Sequence, residues 1–298
     1  MIPTIEQVMK CYRVVAQSER MKTGRPGENT VQNVLRGTKC VCRAAGIGMD
    51  SPITALTRKA FDAALSAFVD RGLSRVTAWS YICQLQAIFA RWCRPYYQDA
   101  GWEIPPLELP SFRAQASRYV RPCAETLARV KAWYEKQTDE CWFAATMMLE
   151  FAMRNGDVLR LTKENFVTQV VHTMERGGNK VRHYLSYVPH KTALTSGRRV
   201  YWPIHDDIWR KFDYYGGLDG LDVTDETFDR LNRSLRSLGL RGQKGAYELR
   251  KICIDHIYQK YGAEMAVSIS GDNIKTISHY YADPAQPNVG AVKVVDLL

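Results

Sequence analysis

The chain has 298 residues, of which 46% are hydrophobic and 24% charged, with a net charge of +10 and a pI near 9.2. This content is enough to fill real cores, which excludes a chain dominated by disorder, and the length suits one large domain or two ordinary ones. No apolar run reaches the roughly 18 residues that span a bilayer, and the start MIPTIEQVMKCYRVV lacks the three-part pattern of a signal peptide, so a soluble, cytoplasmic protein with no membrane partner is expected.

Eight cysteines stand at 11, 40, 42, 83, 93, 123, 141 and 253. Apart from Cys40 and Cys42 they are scattered, and no C-x-x-C pair occurs. A structural zinc site wants two close ligand pairs, so half-buried thiols in a reducing compartment are the better reading, and no metal or other cofactor is expected. Residues 1–117 carry 15 Lys and Arg against 9 Asp and Glu, and the remainder 26 against 22. A positive excess spread over both parts fits a polyanion gripped along the whole molecule.

In chain order, a first helix is predicted over 31–45. After Ser51-Pro52, the residues Leu56, Phe61, Leu65, Phe68 and Val69 recur at helical spacing, and Gly72 stops the run. Ser74 is placed to cap a further helix whose stripe is Val76, Trp79, Ile82, Leu85, Phe89 and Trp92. Pro105, Pro106 and Pro110 then lie within six residues and cannot continue a helix. They mark a linker, 105–122, between a helical N-terminal domain, 1–104, and a larger C-terminal domain, 123–298.

That second domain begins with predicted helices at 124–136 and 140–151. Three β-rich runs follow, 170–174, 182–188 and 198–203, separated by glycine-containing turns at Gly177-Gly178 and Gly197. Helices resume at 206–214, 225–238, 247–261 and 274–281. Helices, a small antiparallel sheet and helices again make a mainly helical α+β fold rather than an alternating βαβ one.

Several residues in this domain have the chemistry to act on a phosphodiester. Such a reaction needs an oxygen nucleophile, cations on the non-bridging oxygens and an acid for the leaving oxygen. Arg154 follows an apolar helix in LEFAMRNGDVLRL, with Asp157 three residues on as a brace. Arg250 lies in AYELRKICIDHIYQKYG, with Tyr247 before it and His256 after it. Gly271, Asp272 and the pair Tyr280-Tyr281 lie in GAEMAVSISGDNIKTISHYYADP. Lys191 precedes the turn between two predicted strands. Arginine is the strongest phosphate clamp because its planar fork donates bidentately and stays charged.

These segments resemble the motifs of the tyrosine recombinase, or phage integrase, family. Arg154 falls on the first arginine box and Arg250 on the second. The run RGLSRVTAWSYICQLQAIFARWC is similar to the family's helical core-binding domain, so the resemblance covers about 55–284. It implies a helical core-binding domain and a mixed catalytic domain closing on double-stranded DNA, two protomers at each site and four in the synapse. It also implies cleavage and rejoining through a 3′-phosphotyrosyl link, with Lys191 as general acid. Counting ten residues from Gly271 reaches Tyr281, while one missing residue would select Tyr280. The sequence departs from the family pattern at Tyr247, where histidine or lysine is usual, and at Asp272, where histidine or tryptophan is usual. A carboxylate beside a phosphate is repelled unless it pairs with Arg154, Arg250 or Lys191. The two departures keep a non-catalytic DNA-binding relative as the alternative. The tail 286–298, ending VGAVKVVDLL, is expected to dock on a neighbouring protomer.

Overall fold

The computed structural model describes residues 1–110, 119–173, 178–193, 197–240 and 244–281. The tail 286–298 and the Gly177 half of the predicted turn lie outside them, as does the side chain of Tyr280. The chain divides into two compact units, Met1–Ala116 and Ser117–Leu298.

Among the described residues, the regular elements of the first unit are all helices. Helix α1 (Ile5–Thr23) starts in a capping box, where the Thr4 hydroxyl accepts from the Gln7 N–H and the Gln7 side chain accepts from the Thr4 N–H. No helix was predicted there, although Ile5, Val8, Met9, Tyr12, Val15 and Ala16 form a buried stripe at helical spacing. The next helices are α2 (Glu28–Ala44), α3 (Arg58–Asp70), α4 (Arg75–Gln86) and the short α5 (Arg94–Asp99). Ser74 caps α4 as expected, accepting from the Thr77 N–H at 3.2 Å. The buried face of α4 is Ala78, Ile82 and Leu85, whereas Val76 is 50% exposed, so the predicted stripe was rotated at its start. Helix α2 packs on both α3 and α4. The proline stretch has no regular structure, but Trp102, Ile104, Leu107 and Leu109 lie against the core of this unit.

The second unit wraps helices around α7 (Glu140–Leu149), eight of whose ten residues are buried. An all-round apolar helix has no solvent face and so takes the centre. Before it comes α6 (Ala124–Lys136), and after it the one-turn α8 (Asn155–Val158). Strands β1 (Phe166–Thr173), β2 (Gly178–Tyr187) and β3 (Val200–Ile204) form an antiparallel sheet in that order, with Val170 opposite Val181 and Leu185 opposite Trp202. Leu185, Tyr187, Val200 and Ile204 point into the core. Helices α9 (Asp206–Tyr214), α10 (Asp225–Ser237), α11 (Gly245–Tyr261), α12 (Ala263–Ser270) and α13 (Ile274–Tyr280) complete the unit. Helix α11 packs on α7, α10 and α12, and α12 packs on α13 and β3. The mainly helical α+β architecture with a small antiparallel sheet is therefore as expected. No helix among the described residues is long and apolar enough to cross a membrane.

Candidate active site

Three backbone devices gather the chemistry-bearing side chains of the second unit. The first follows α7. Ala152 is fully buried with φ +50, in the left-handed region that costs a residue bearing a Cβ about 1–2 kcal/mol. Its methyl belongs to a small core with Cys253, Ile254 and Ile277. Two residues later Arg154 stands extended as the N-cap of α8. Asp157, 6% exposed, approaches the Arg154 guanidinium at 3.8 Å and accepts from the His190 backbone N–H at 2.9 Å. The brace expected for Arg154 thus also ties down the turn that carries Lys191.

The second device is α11. Its first turn has no cap of its own, and Asn232 on α10 accepts from the Ala246 N–H at 2.9 Å instead. Tyr247, Arg250 and Ile254 then share one face by helical spacing. Arg250 has no exposed surface. Burial works against its charge, but Asp272 and Tyr281 outweigh that and hold its pKa above the usual arginine value. His256 is exposed, and the buried acid beside it is Asp255, which accepts from Arg121 at 2.6 Å. The resemblance to the family implies a histidine at 256 that supports this helix, and here the buried contact at that point is the Arg121–Asp255 ion pair instead.

The third device ends α12. Ser270 is buried, its carbonyl accepts from Arg250 Nη2 at 3.2 Å, and its hydroxyl accepts from the Asp272 N–H at 3.1 Å. Gly271 has φ +65, and a Cβ there would come within 2.9 Å of Pro189 Cγ. Only glycine satisfies both the left-handed turn and this close approach to the Lys191 loop. Ser270 and Pro189 were not singled out from the sequence. A small residue before a helix-ending glycine was the available signal.

Asp272 is where these devices meet. One carboxylate oxygen accepts from Arg154 Nη2, and the other accepts from Arg250 Nη2 at 2.5 Å. Its side chain is 10% exposed, against 15% for Arg154. It therefore bridges the arginines rather than pointing away from them. Removing it would leave a fully buried guanidinium without its closest counter-charge, an imbalance of roughly 3–5 kcal/mol. Even so, Arg250 Nε, Arg250 Nη1 and Arg154 Nη1 are buried donors with no acceptor in hydrogen-bonding geometry.

Tyr281, just past α13, is 4% exposed and sits in the small core beside Arg250, whose Cζ lies 5.7 Å from the ring centre. Its hydroxyl forms a hydrogen bond with the hydroxyl of Tyr247. Burial pushes its pKa above the ordinary tyrosine value, Arg250 pulls it down, and the Tyr247 hydrogen bond and the Asp272 charge push it up again, for a net rise. The side chain that departs from the family pattern at 247 is thus the direct partner of Tyr281.

Lys191 lies on a single helical turn, His190–Thr192, and is exposed. Among the described residues its ammonium has no ion pair or hydrogen bond. A pocket of about 730 Å³ opens between this turn and α12, lined by Thr192, Arg198, Glu264, Gly271, Asp272 and Asn273. It gives the carboxylate an approach from solvent. Arg199 is engaged elsewhere, donating to the Ser186 hydroxyl at 3.1 Å. The Cys40/Cys42 pair lies in the first unit, where burial pushes the Cys42 thiol up to about 11, and no cluster of three metal-ligating side chains occurs among the described residues.

No family model and no curated protein matches the sequence. Solved structures do match. A lambda integrase tetramer bound to a Holliday junction superposes with a TM-score of 0.66 at 15% identity, covering 98% of this chain and 81% of that one. The Tn1549 transposon integrase in complex with a circular intermediate DNA gives 0.57 at 13% identity, covering 94% and 95%. XerH site-specific recombinase bound to its difH substrate gives 0.50 at 14% identity, covering 93% of each chain. Identities this low speak for architecture, and on that evidence the chain has the fold of the tyrosine recombinases.

Proposed function

We propose that this chain is a site-specific DNA recombinase that cuts and rejoins strands through a 3′-phosphotyrosyl intermediate on Tyr281. The observation that carries the reading is the convergence of Arg154, Arg250 and Tyr281 on one small buried site, within a fold whose matched structures are integrases and a recombinase bound to DNA. In this mechanism the two arginines hold the non-bridging oxygens and stabilise the charge that builds as Tyr281 attacks. The bond to the 5′ oxygen breaks as the tyrosyl bond forms, the phenolic proton of Tyr281 is given up to water, and Lys191 protonates the leaving oxygen. The bond energy is kept in the phosphotyrosyl ester, so rejoining needs no nucleotide. The Tyr281 hydroxyl starts protonated and bonded to Tyr247, so Tyr247 is proposed to position the nucleophile. Double-stranded DNA is the partner, bound by a dimer at each site and a tetramer in the synapse.

Asp272 favours a second reading, a DNA-binding relative that does not cleave, because the arginines are already occupied by a carboxylate. Incubation with nicked duplexes tiled across the DNA flanking its own gene, with EDTA present, separates the two readings. Protein–DNA adducts stable to SDS, with the linked peptide carrying Tyr281, are expected. An adduct on Tyr280 would keep the chemistry and move the nucleophile. Absence of adducts on a duplex that the protein demonstrably binds would establish the second reading.

A further inference from the structure

We propose that Asp272 is a built-in stand-in for the substrate phosphate, seated between Arg154 and Arg250 until a phosphate displaces it. The inference rests on the reading of these two arginines as a phosphate clamp. Each carboxylate oxygen takes one guanidinium, the arrangement that two non-bridging phosphate oxygens would adopt.

Two further observations point to a larger anion than a carboxylate. Arg250 is fully buried, yet its Nε and Nη1 make no hydrogen bond of good geometry, and Arg154 Nη1 has only the 3.8 Å approach of Asp157. Each carboxylate oxygen already faces one guanidinium nitrogen, whereas a tetrahedral phosphate presents further oxygens in directions a planar carboxylate does not reach. The seat is also reachable, because the pocket between the Lys191 turn and α12 is lined by Asp272 itself.

The hinge for displacement is in place. Asp272 follows Gly271, whose φ of +65 ends α12, and it precedes Asn273, which caps α13 by accepting from the Thr276 N–H at 2.8 Å. The carboxylate therefore sits in a three-residue joint, Gly271 to Asn273, between helices rather than within one. While seated it keeps the guanidiniums parted and aimed. Once displaced it leaves a clamp already shaped for its ligand, and any phosphate must compete with it. Asp272 thereby acts as a positioning residue that sets a threshold for phosphate binding.

The test is phosphate-dependent stability of the full-length protein, without DNA. The melting temperature of the wild type and of Asp272→Asn is followed against inorganic phosphate, with sodium chloride at matched ionic strength as the control. A ligand that binds only the folded state stabilises it in proportion to the logarithm of its excess over its dissociation constant. At roughly tenfold excess, Asp272→Asn should gain about 3–6 °C over the chloride control. The wild type, whose own carboxylate competes, should gain less than about a third of that. Adding Arg250→Gln to Asp272→Asn should abolish the response. Equal responses in wild type and variant, or none in either, would overturn the proposal.

If Asp272→Asn does not fold in chloride, refolding yield reads the same competition. Recovery in phosphate and not in chloride supports the stand-in, and equal failure in both sinks it. These measurements need no cleavage. A phosphate response without Tyr281 adducts would leave the stand-in intact and remove the recombinase reading. Adducts without a phosphate response would do the reverse.

Discussion

The interiors of the two units are made of different material. In Met1–Ala116 no charged side chain is buried among the described residues, and the buried Thr38 spends its hydroxyl on the Val34 carbonyl of its own helix, at 2.8 Å. In Ser117–Leu298 the buried set includes Asp157, Arg250 and Asp255. An apolar core is non-directional and tolerates repacking if its volume is kept. A charged core works only when each group meets its partner, and it adds little net stability for the desolvation it requires. Buried charge is therefore the mark of a region shaped for something other than stability, and, apart from Asp255 with its partner Arg121, it falls where Arg154, Asp272 and Tyr281 meet.

That contrast breaks first where it is strongest, in the purely apolar unit. Phe61 is fully buried on α3. Phe61→Ala should destabilise the first unit by about 3–5 kcal/mol, read as a shift of its urea midpoint. Adduct yield per correctly folded molecule should not change. A fall in that yield would mean that the first core reports on the chemistry, and the division between the interiors would fail.

In the second unit the corresponding substitution strikes function. Arg250→Lys keeps the charge but loses the planar fork. Adduct formation with nicked DNA should drop by about 10²–10³-fold, the scale for removing a preorganised donor at a developing charge. A loss under about tenfold would mean that charge alone suffices and that the planar fork of Arg250 is incidental.

Asp157 sharpens the comparison further, because it joins charge to backbone. Asp157→Ala removes both the approach to Arg154 and the acceptor for the His190 N–H, and should cost roughly 1–3 kcal/mol of thermal stability. Asp157→Asn keeps an acceptor and should recover most of that loss. Equal losses in the two variants would show that the charge matters and the tie to the Lys191 turn does not.

Most of the architecture was legible because it is local. Helices 124–136 and 206–214 coincide with α6 and α9, and the Ser74 cap stands where its sequence put it. Helix α1 was equally legible, from Thr4, Gln7 and a buried stripe, but was overlooked. Val76 was misassigned because three- and four-residue steps fit two adjacent helix faces equally well, and only the neighbours α2 and α3 select one. At the site, Arg154, Arg250, Tyr247, Asp272 and Tyr281 were all named from sequence, and Arg154, Arg250 and Lys191 stood as the three candidate partners of Asp272, but the choice among them and the Tyr247–Tyr281 pair were not. The sequence carries no record that the Asp272 carboxylate divides between two arginines 118 and 22 residues away, or that the hydroxyls of Tyr247 and Tyr281 bond to each other. Those contacts depend on the α7 exit, the α10–α11 cap and the Gly271 turn together.

The smallest expected effect is a difference in alkaline stability, and it compares a tyrosine from each interior. Tyr12, in the first unit, is pushed up to about 12, chiefly by burial and then by the Cys93 thiol. Tyr281, in the second, is raised by burial, lowered by Arg250, and raised again by Tyr247 and Asp272. Both folded values exceed the unfolded tyrosine value of about 10, so folding prefers the protonated hydroxyl in each case. The stability each contributes is complete below about pH 10 and is lost as the pH rises through the folded value. Tyr12→Phe and Tyr281→Phe should each flatten the fall in melting temperature above that pH, relative to wild type. Adding Arg250→Gln to the wild type should steepen the Tyr281 contribution, since the guanidinium is what lowers its pKa, and should leave that of Tyr12 unchanged. If Tyr281→Phe declines with pH as steeply as the wild type, its hydroxyl titrates as it does in water. The Tyr247 pair would then be open in solution, and the nucleophile would stand ready rather than waiting for its proton to leave during attack.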